Sequence, residues 1–213
     1  MQRTAEGRRF SASDLVNFAA CKHLTHLDLL NLEAPLPKAD DTEEMVLIQD
    51  KGFAHESRYW QHLHDEHPGA IDLSSDAQSD ENRDEATRRA LRSGAEVVFQ
   101  GTFLESPWVG HADFLIRVGR PSSLGAFGYE VADTKLARSS RAKFLIQLCF
   151  YSELLAGAQG LMPEHMHVVL GDGRQETFRV ADYLRYYRRL KNRFLQWADS
   201  RHHDSAPERV ERC

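Results

Sequence analysis

The sequence predicts an α/β chain in which helices cover a mixed central sheet. Three observations carry that expectation. Apolar residues recur at helical spacing through most of residues 13–67. Between residues 96 and 136 the pattern changes to three apolar runs joined by short turns, which reads as an antiparallel meander. Residues 140–200 then alternate helix, hairpin and helix.

The elements follow in order. Ser11-Ala12-Ser13-Asp14 offers side-chain acceptors for free N–H groups at a helix start. Leu15, Phe18, Leu24, Leu27 and Leu30 then predict one helix over 13–31, ended before Pro35 and Pro37. Met45, Ile48, Phe53, Tyr59 and Leu63 form the stripe of a second helix over 42–67. Its Gly52 costs roughly 1 kcal/mol relative to Ala and hints at a bend or close packing. Pro68-Gly69 is a turn, and the polar stretch 72–85 leads into a short helix over 80–93. Strands are expected over 96–104, 109–118 and 127–136, and a helix over 140–157. A strand over 165–171, a turn at Asp172-Gly173 and a strand over 176–180 make a hairpin, and a helix over 181–200 closes the chain. We expect one domain over 1–213, mainly helical over 1–93, with sheet and helix over 94–180 and a closing helix and tail over 181–213.

Composition excludes more than it assigns. With 213 residues, 41% apolar and 28% charged, the chain suits one soluble core. No apolar run approaches the roughly 20 residues of a membrane span, and no secretory pattern opens the chain, so a cytoplasmic protein with no membrane partner is expected. The net charge of -5 gives no general attraction to polyanions. The cations are nevertheless clustered: Arg185, Arg188, Arg189, Lys191 and Arg193 in one group, Arg138, Arg141 and Lys143 in another. Such groups are either solvated faces or phosphate contacts. The three cysteines, Cys21, Cys149 and Cys213, are odd in number and widely spaced, so reduced thiols are expected.

One constellation carries chemistry. On the third strand, period two puts Val131, Asp133 and Lys135 on one face and Glu130, Ala132 and Thr134 on the other. Asp113, on the neighbouring strand, reaches the same place as Asp133. Two adjacent carboxylates repel each other, and a divalent cation between them relieves the repulsion. Magnesium keeps several waters in such a site, which leaves room for a phosphate oxygen. The adjacent lysine can orient water or balance charge in the transition state. His55 is a further candidate ligand, and an imidazole shifts preference toward manganese. Lys143, Gln147 and Tyr151 lie at four-residue spacing and form one helical stripe suited to phosphates and bases. Taken singly, each of these residues has an ordinary structural explanation. The neighbouring His62, His64 and His67 lack the cysteine or acid spacing of a zinc site.

Four blocks together resemble a known family: Ser11-x-Ser13-x-Leu15-x-x-Phe18-x-x-Cys21; Gly52-x-x-His55-Glu56; Gly110-His111-Ala112-Asp113-Phe114-Leu115; and Asp133-Thr134-Lys135 followed by Gln147-x-x-x-Tyr151. Over nearly its whole length the chain resembles the RecB/AddB-like branch of the PD-(D/E)XK nuclease superfamily, including domains found fused to helicases. The resemblance implies a restriction-endonuclease-like βββ-α-β core flanked by helices. It implies a Mg2+- or Mn2+-dependent deoxyribonuclease with Asp113, Asp133 and Lys135 as catalytic residues. The metal ligands would be His55, Asp113, Asp133 and the Thr134 backbone carbonyl. Gln147, Tyr151 and Lys143 would meet or support DNA, with Glu56 and Glu130 in supporting positions outside the ligand set. A helicase domain or subunit is the implied partner. Some members hold an iron–sulfur cluster through one N-terminal and three C-terminal cysteines. Here Cys21 and Cys213 match two of them, so a cluster requires chain beyond Cys213, and a fragment of a longer protein is expected. The alternative reading is a non-catalytic nucleic-acid-binding or helicase-interaction module of the same fold.

Overall fold

A computed structural model describes residues 1–4, 7–74, 79–200 and 207. Two short strands, β1 (Gln2–Thr4) and β2 (Gly7–Arg9), open the chain as a hairpin that the sequence pattern did not announce. Helices α1 (Ala12–Ala20), α2 (Lys22–Glu33) and α3 (Glu43–Glu66) follow, then strand β3 (Ile71–Asp72) and helix α4 (Asp80–Ser93). The meander is β4 (Val97–Glu105), β5 (Trp108–Val118) and β6 (Gly128–Lys135). Helix α5 (Ala142–Gln159), strands β7 (His165–Leu170) and β8 (Gln175–Arg179) and helix α6 (Val180–Asp199) complete it.

Strands β3 to β8 form one six-stranded sheet in sequence order. The meander pairs antiparallel as expected; β6 and β7 pair parallel across the α5 connection, and β7 and β8 form the expected hairpin. The sheet is therefore mixed, and the α/β expectation holds at that level. Seven of the eight residues of β6 are buried, the mark of a central strand covered on both faces. One face packs Leu115, Val131 and Met166 against Leu148, Phe150 and Leu155 of α5, together with α1, α4 and α6. The opposite face packs Val97, Phe99, Phe114 and Ala132 under Leu63, Tyr59 and Trp60 of α3.

The expected helix over 13–31 is two helices. Cys21 is extended (φ -155°, ψ 107°), its N–H closes α1 on the Asn17 carbonyl at 2.7 Å, and its Sγ accepts the Leu24 N–H at the start of α2. The one-residue break leaves apolar spacing on either side almost in phase, so periodicity alone does not register it. Phe18 packs against Phe194 and Trp197 of α6, while Leu29 is buried from the second helix. Cys21 is buried and disulfide-bonded, which corrects the reduced thiol expected there; Cys149 is free and buried. Cys213, the other residue matched to an iron–sulfur position, lies outside the described residues. At the start of α1, Ser11 and Asp14 form the expected cap, with Asp14 accepting both the Ser11 N–H at 2.7 Å and its hydroxyl at 3.0 Å.

Helix α5 is tied to α6 through one carboxylate. Glu153 accepts hydrogen bonds from Tyr187 at 2.8 Å, Arg188 at 2.9 Å and Lys191 at 2.7 Å. Part of the basic cluster on α6 is thus structural, while Arg185, Arg189 and Arg193 are exposed.

Gly52, singled out by the sequence, and Gly171, just past the end of β7, behave oppositely. A Cβ at Gly52 would meet nothing within 4 Å, so the close packing anticipated there is absent. A Cβ at Gly171 would lie 2.8 Å from the Leu136 carbonyl oxygen, backbone that directly follows Lys135. Gly52→Ala is expected to raise stability by about 0.5–1 kcal/mol, and Gly171→Ala to lower it by about 1–3 kcal/mol. Urea denaturation with unchanged m-values checks both.

Candidate active site

The meander opens at one place. Strands β5 and β6 pair from Val118↔Gly128 to Phe114↔Ala132 and then part, while the other edge of β6 stays paired to β7 as far as Lys135↔Leu170. Asp113 stands at the parting. Its Oδ2 accepts the Thr134 N–H at 3.4 Å, so a carboxylate takes over a backbone donor where β5 pairing ends.

The same point interrupts the pairing of β4 and β5. Phe99 pairs Phe114 and Gly101 pairs Ala112, but Gln100 and Asp113 between them are out of the ladder. Gln100 has φ +57°, the left-handed region that a non-glycine residue enters only at a cost. This paired bulge resets the alternation. Phe99 and Phe114 face α3, whereas a Cβ at Gly101 would lie 2.8 Å from Leu115 Cδ1 on the α5 side. Counting by twos from either neighbour therefore gives contradictory faces for Asp113. The kink resolves this by turning its carboxyl toward β6.

Asp133 is fully buried. Its Oδ1 accepts a hydrogen bond from Lys135 Nζ at 2.8 Å; Oδ2 lies 2.6 Å from the same ammonium but has no donor in good geometry. The Asp113 and Asp133 carboxyls lie close enough for each to feel the other's charge. Burial, then the charge of Asp133, hold the Asp113 carboxyl well above the usual carboxylate range, against a smaller opposing pull from Lys135. Glu56 of α3 faces the same charges. Burial raises its pKa, the Gln100 amide donating to Oε1 opposes that, Asp133 raises it and Lys135 lowers it, for a net rise.

The α5 stripe is partly assembled. Gln147 Nε2 donates to the Tyr151 hydroxyl at 3.1 Å. The phenol is buried, and burial together with the two aspartates pushes its pKa up. Lys143 is exposed and, with Lys135, Phe144, Gln147, Ser13 and Asn17, lines a recess of about 310 Å3.

His55 and Glu130 stand apart from the aspartate pair. His55 is buried and its Nε2 lies 3.4 Å from the Val169 carbonyl, an acceptor only, so Nε2 carries the proton and Nδ1 is bare in the neutral ring. Val169 pairs with Thr134 across the ladder, which puts this imidazole beside the site. Glu130 lies on the opposite face from Asp133, as alternation predicts. Burial raises its pKa, but the His167 bond at 3.0 Å, the His165 N–H at 3.0 Å and both imidazoles outweigh burial and leave it lowered.

No group of three or more His, Cys, Asp or Glu side chains is arranged as a metal cluster among the described residues. The fit of a divalent ion therefore rests on two carboxylates, an unsatisfied buried oxygen on Asp133 and nearby backbone. That donor set suits magnesium or manganese retaining water ligands, with His55 and Glu56 at its margin. Gln100 is the residue that pattern reading missed; Gly101 beside it was the available sign of a bulge. No family model and no curated protein matches the chain.

Because the native pKa is raised, Asp113 is protonated when folded and ionised when unfolded only between the unfolded value and the native one. Its stabilising contribution is full below the unfolded value near 3.8 and is lost as pH rises toward the native value. Asp113→Asn keeps a donor to Asp133 without the charge. In EDTA its melting temperature is expected to exceed wild type at pH 7.5, by about 2–4 °C for each kcal/mol relieved. That difference should shrink toward pH 4. Asp133→Asn, which removes the partner of Lys135, should melt lower than wild type.

Proposed function

We propose that this chain is a Mg2+- or Mn2+-dependent deoxyribonuclease with a restriction-endonuclease-like core of the RecB/AddB-like kind. The observation that carries the reading is the convergence of Asp113, Asp133 and Lys135 where β5 and β6 part. A divalent ion, when bound, supplies charge neutralisation and a water of lowered pKa.

The residues do the rest. Asp133, locked on a fully buried central strand, and Asp113, on the kinked one, present oxygens from two directions. The Asp113 carboxyl, held above the usual carboxylate range by burial and Asp133, would be ionised when a cation is bound between the two. The Thr134 carbonyl lies on the same short segment and completes the donor set, with the bare Nδ1 of His55 beside it. Lys135 Nζ, released from Asp133, orients the attacking water or balances charge on the phosphoryl oxygens. Lys143, exposed on the rim of the adjoining recess, meets a backbone phosphate, while the Gln147–Tyr151 pair supports Asp133 and the substrate from α5. The overall charge of -5 does not attract DNA, so attraction is local to these lysines and to Arg138 and Arg141. A helicase domain or subunit as partner belongs to the same reading.

Purified protein with linear DNA and Mn2+ should cleave. Lys135→Ala and Asp113→Ala should each lower the rate by at least about 10²-fold. Cleavage undiminished in both variants would remove the site assignment. DNA binding without turnover in any metal would favour the non-catalytic module.

A further inference from the structure

Gln100 is a polar residue in a place where the backbone resists it. It lies opposite Asp113, outside the β4–β5 ladder, with a positive φ that glycine would adopt without cost. The next residue, Gly101, has φ in the ordinary range. A bulge alone therefore does not explain glutamine at position 100. What the side chain does there is specific: its Nε2 donates to Glu56 Oε1 across 44 residues of sequence, joining β4 to α3. A carboxylate accepts and does not donate, so the amide orientation is dictated by its partner.

We infer that Gln100 is a positioning residue of this site: from its place opposite Asp113 its amide holds the Glu56 carboxylate of α3 at the margin of the aspartate pair, as a further acid bordering it. The inference rests on the metal-dependent reading above. Glu56 is half-buried on α3, next to His55, and its charge is felt by Asp113 as well as feeling Asp133 and Lys135. Among the described residues the Gln100 amide is the side-chain group bonded to Glu56, and being neutral it fixes the direction of the carboxylate without cancelling its charge. The left-handed backbone aims this amide across the sheet, and the same kink releases Asp113 from the ladder. One local distortion thereby sets two of the three acids.

The test measures Mn2+ binding by calorimetry without DNA, and melting in EDTA, for wild type, Gln100→Gly, Gln100→Asn, Glu56→Gln and the Gln100→Gly/Glu56→Gln double variant. Glycine and asparagine both accept the left-handed backbone, and neither side chain reaches Glu56. Mn2+ affinity should fall roughly tenfold in each single variant. The double variant should bind no more weakly than Glu56→Gln, because the two residues act through one carboxylate. Metal-free Gln100→Gly and Gln100→Asn should both still melt cooperatively, so that a loss of Mn2+ affinity is read on folded protein. Mn2+ affinity within about twofold of wild type in the glycine and asparagine variants, or losses that multiply in the double variant, would overturn the inference. If the glycine variant melts too low to titrate, the asparagine variant decides. A wild type that binds no Mn2+ removes the metal-dependent reading and this inference with it, whereas wild-type binding with unaltered variants removes this inference alone.

Discussion

Two carboxyl groups forced together in a buried place govern the rest of this molecule. Asp113 and Asp133 are held close by strands that cannot move apart without breaking the sheet, since Asp133 lies on the fully covered β6. Lys135 answers the charge on the Asp133 side, while burial and Asp133 hold the Asp113 carboxyl well above the usual carboxylate range. The kink in β4 and β5, the parting of β5 from β6 and the burial under α5 all serve to keep the conflict in place.

The division of labour between the sheet faces follows from the same constraint. On the α5 side lie the aspartate pair, the Gln147–Tyr151 bond and the lysine-lined recess. On the α3 side a second, larger cleft of about 820 Å3 is lined by His55, Arg58, Tyr59, Glu130 and His167, and its acid is already balanced by imidazoles. The helix α3 contributes to both: Glu56 faces the aspartates, and His55 looks toward Val169 and the cleft. Adjacent residues of one helix thus border two environments.

Much of this was legible in the sequence, and the failures have physical causes. The strands β4 to β8 and the helices α4 to α6 were readable because alternation and helical spacing are strong where one face is buried; α3 was read from the same spacing although Met45, Ile48 and Phe53 of its stripe are exposed and Leu63 is buried. The separation of Glu130 from Asp133 followed from period two alone. The position of Asp113 beside Asp133 was anticipated from strand adjacency, whereas alternation could not have fixed its face, because the paired bulge resets the count. A positive φ at glutamine leaves no compositional trace of its own, so the neighbouring Gly101 was the sole hint of the bulge at Gln100. The break at Cys21 was missed because leucines continue past it at helical spacing, although Leu24 and Leu27 are exposed and Leu29 is the leucine that α2 buries. The strands β1 and β3, of three and two residues, are too short for any periodic signal.

Glu153 has a consequence beyond holding two helices together. It lies two residues from Tyr151, and a helix turns by about 100° per residue. By gripping Tyr187, Arg188 and Lys191 at once, this carboxylate acts as a pin that stops α5 from rolling about its own axis. The phenol facing the aspartates is therefore indexed by a contact on the far side of its helix. The C-terminal helix sets the angular position of a group it never touches.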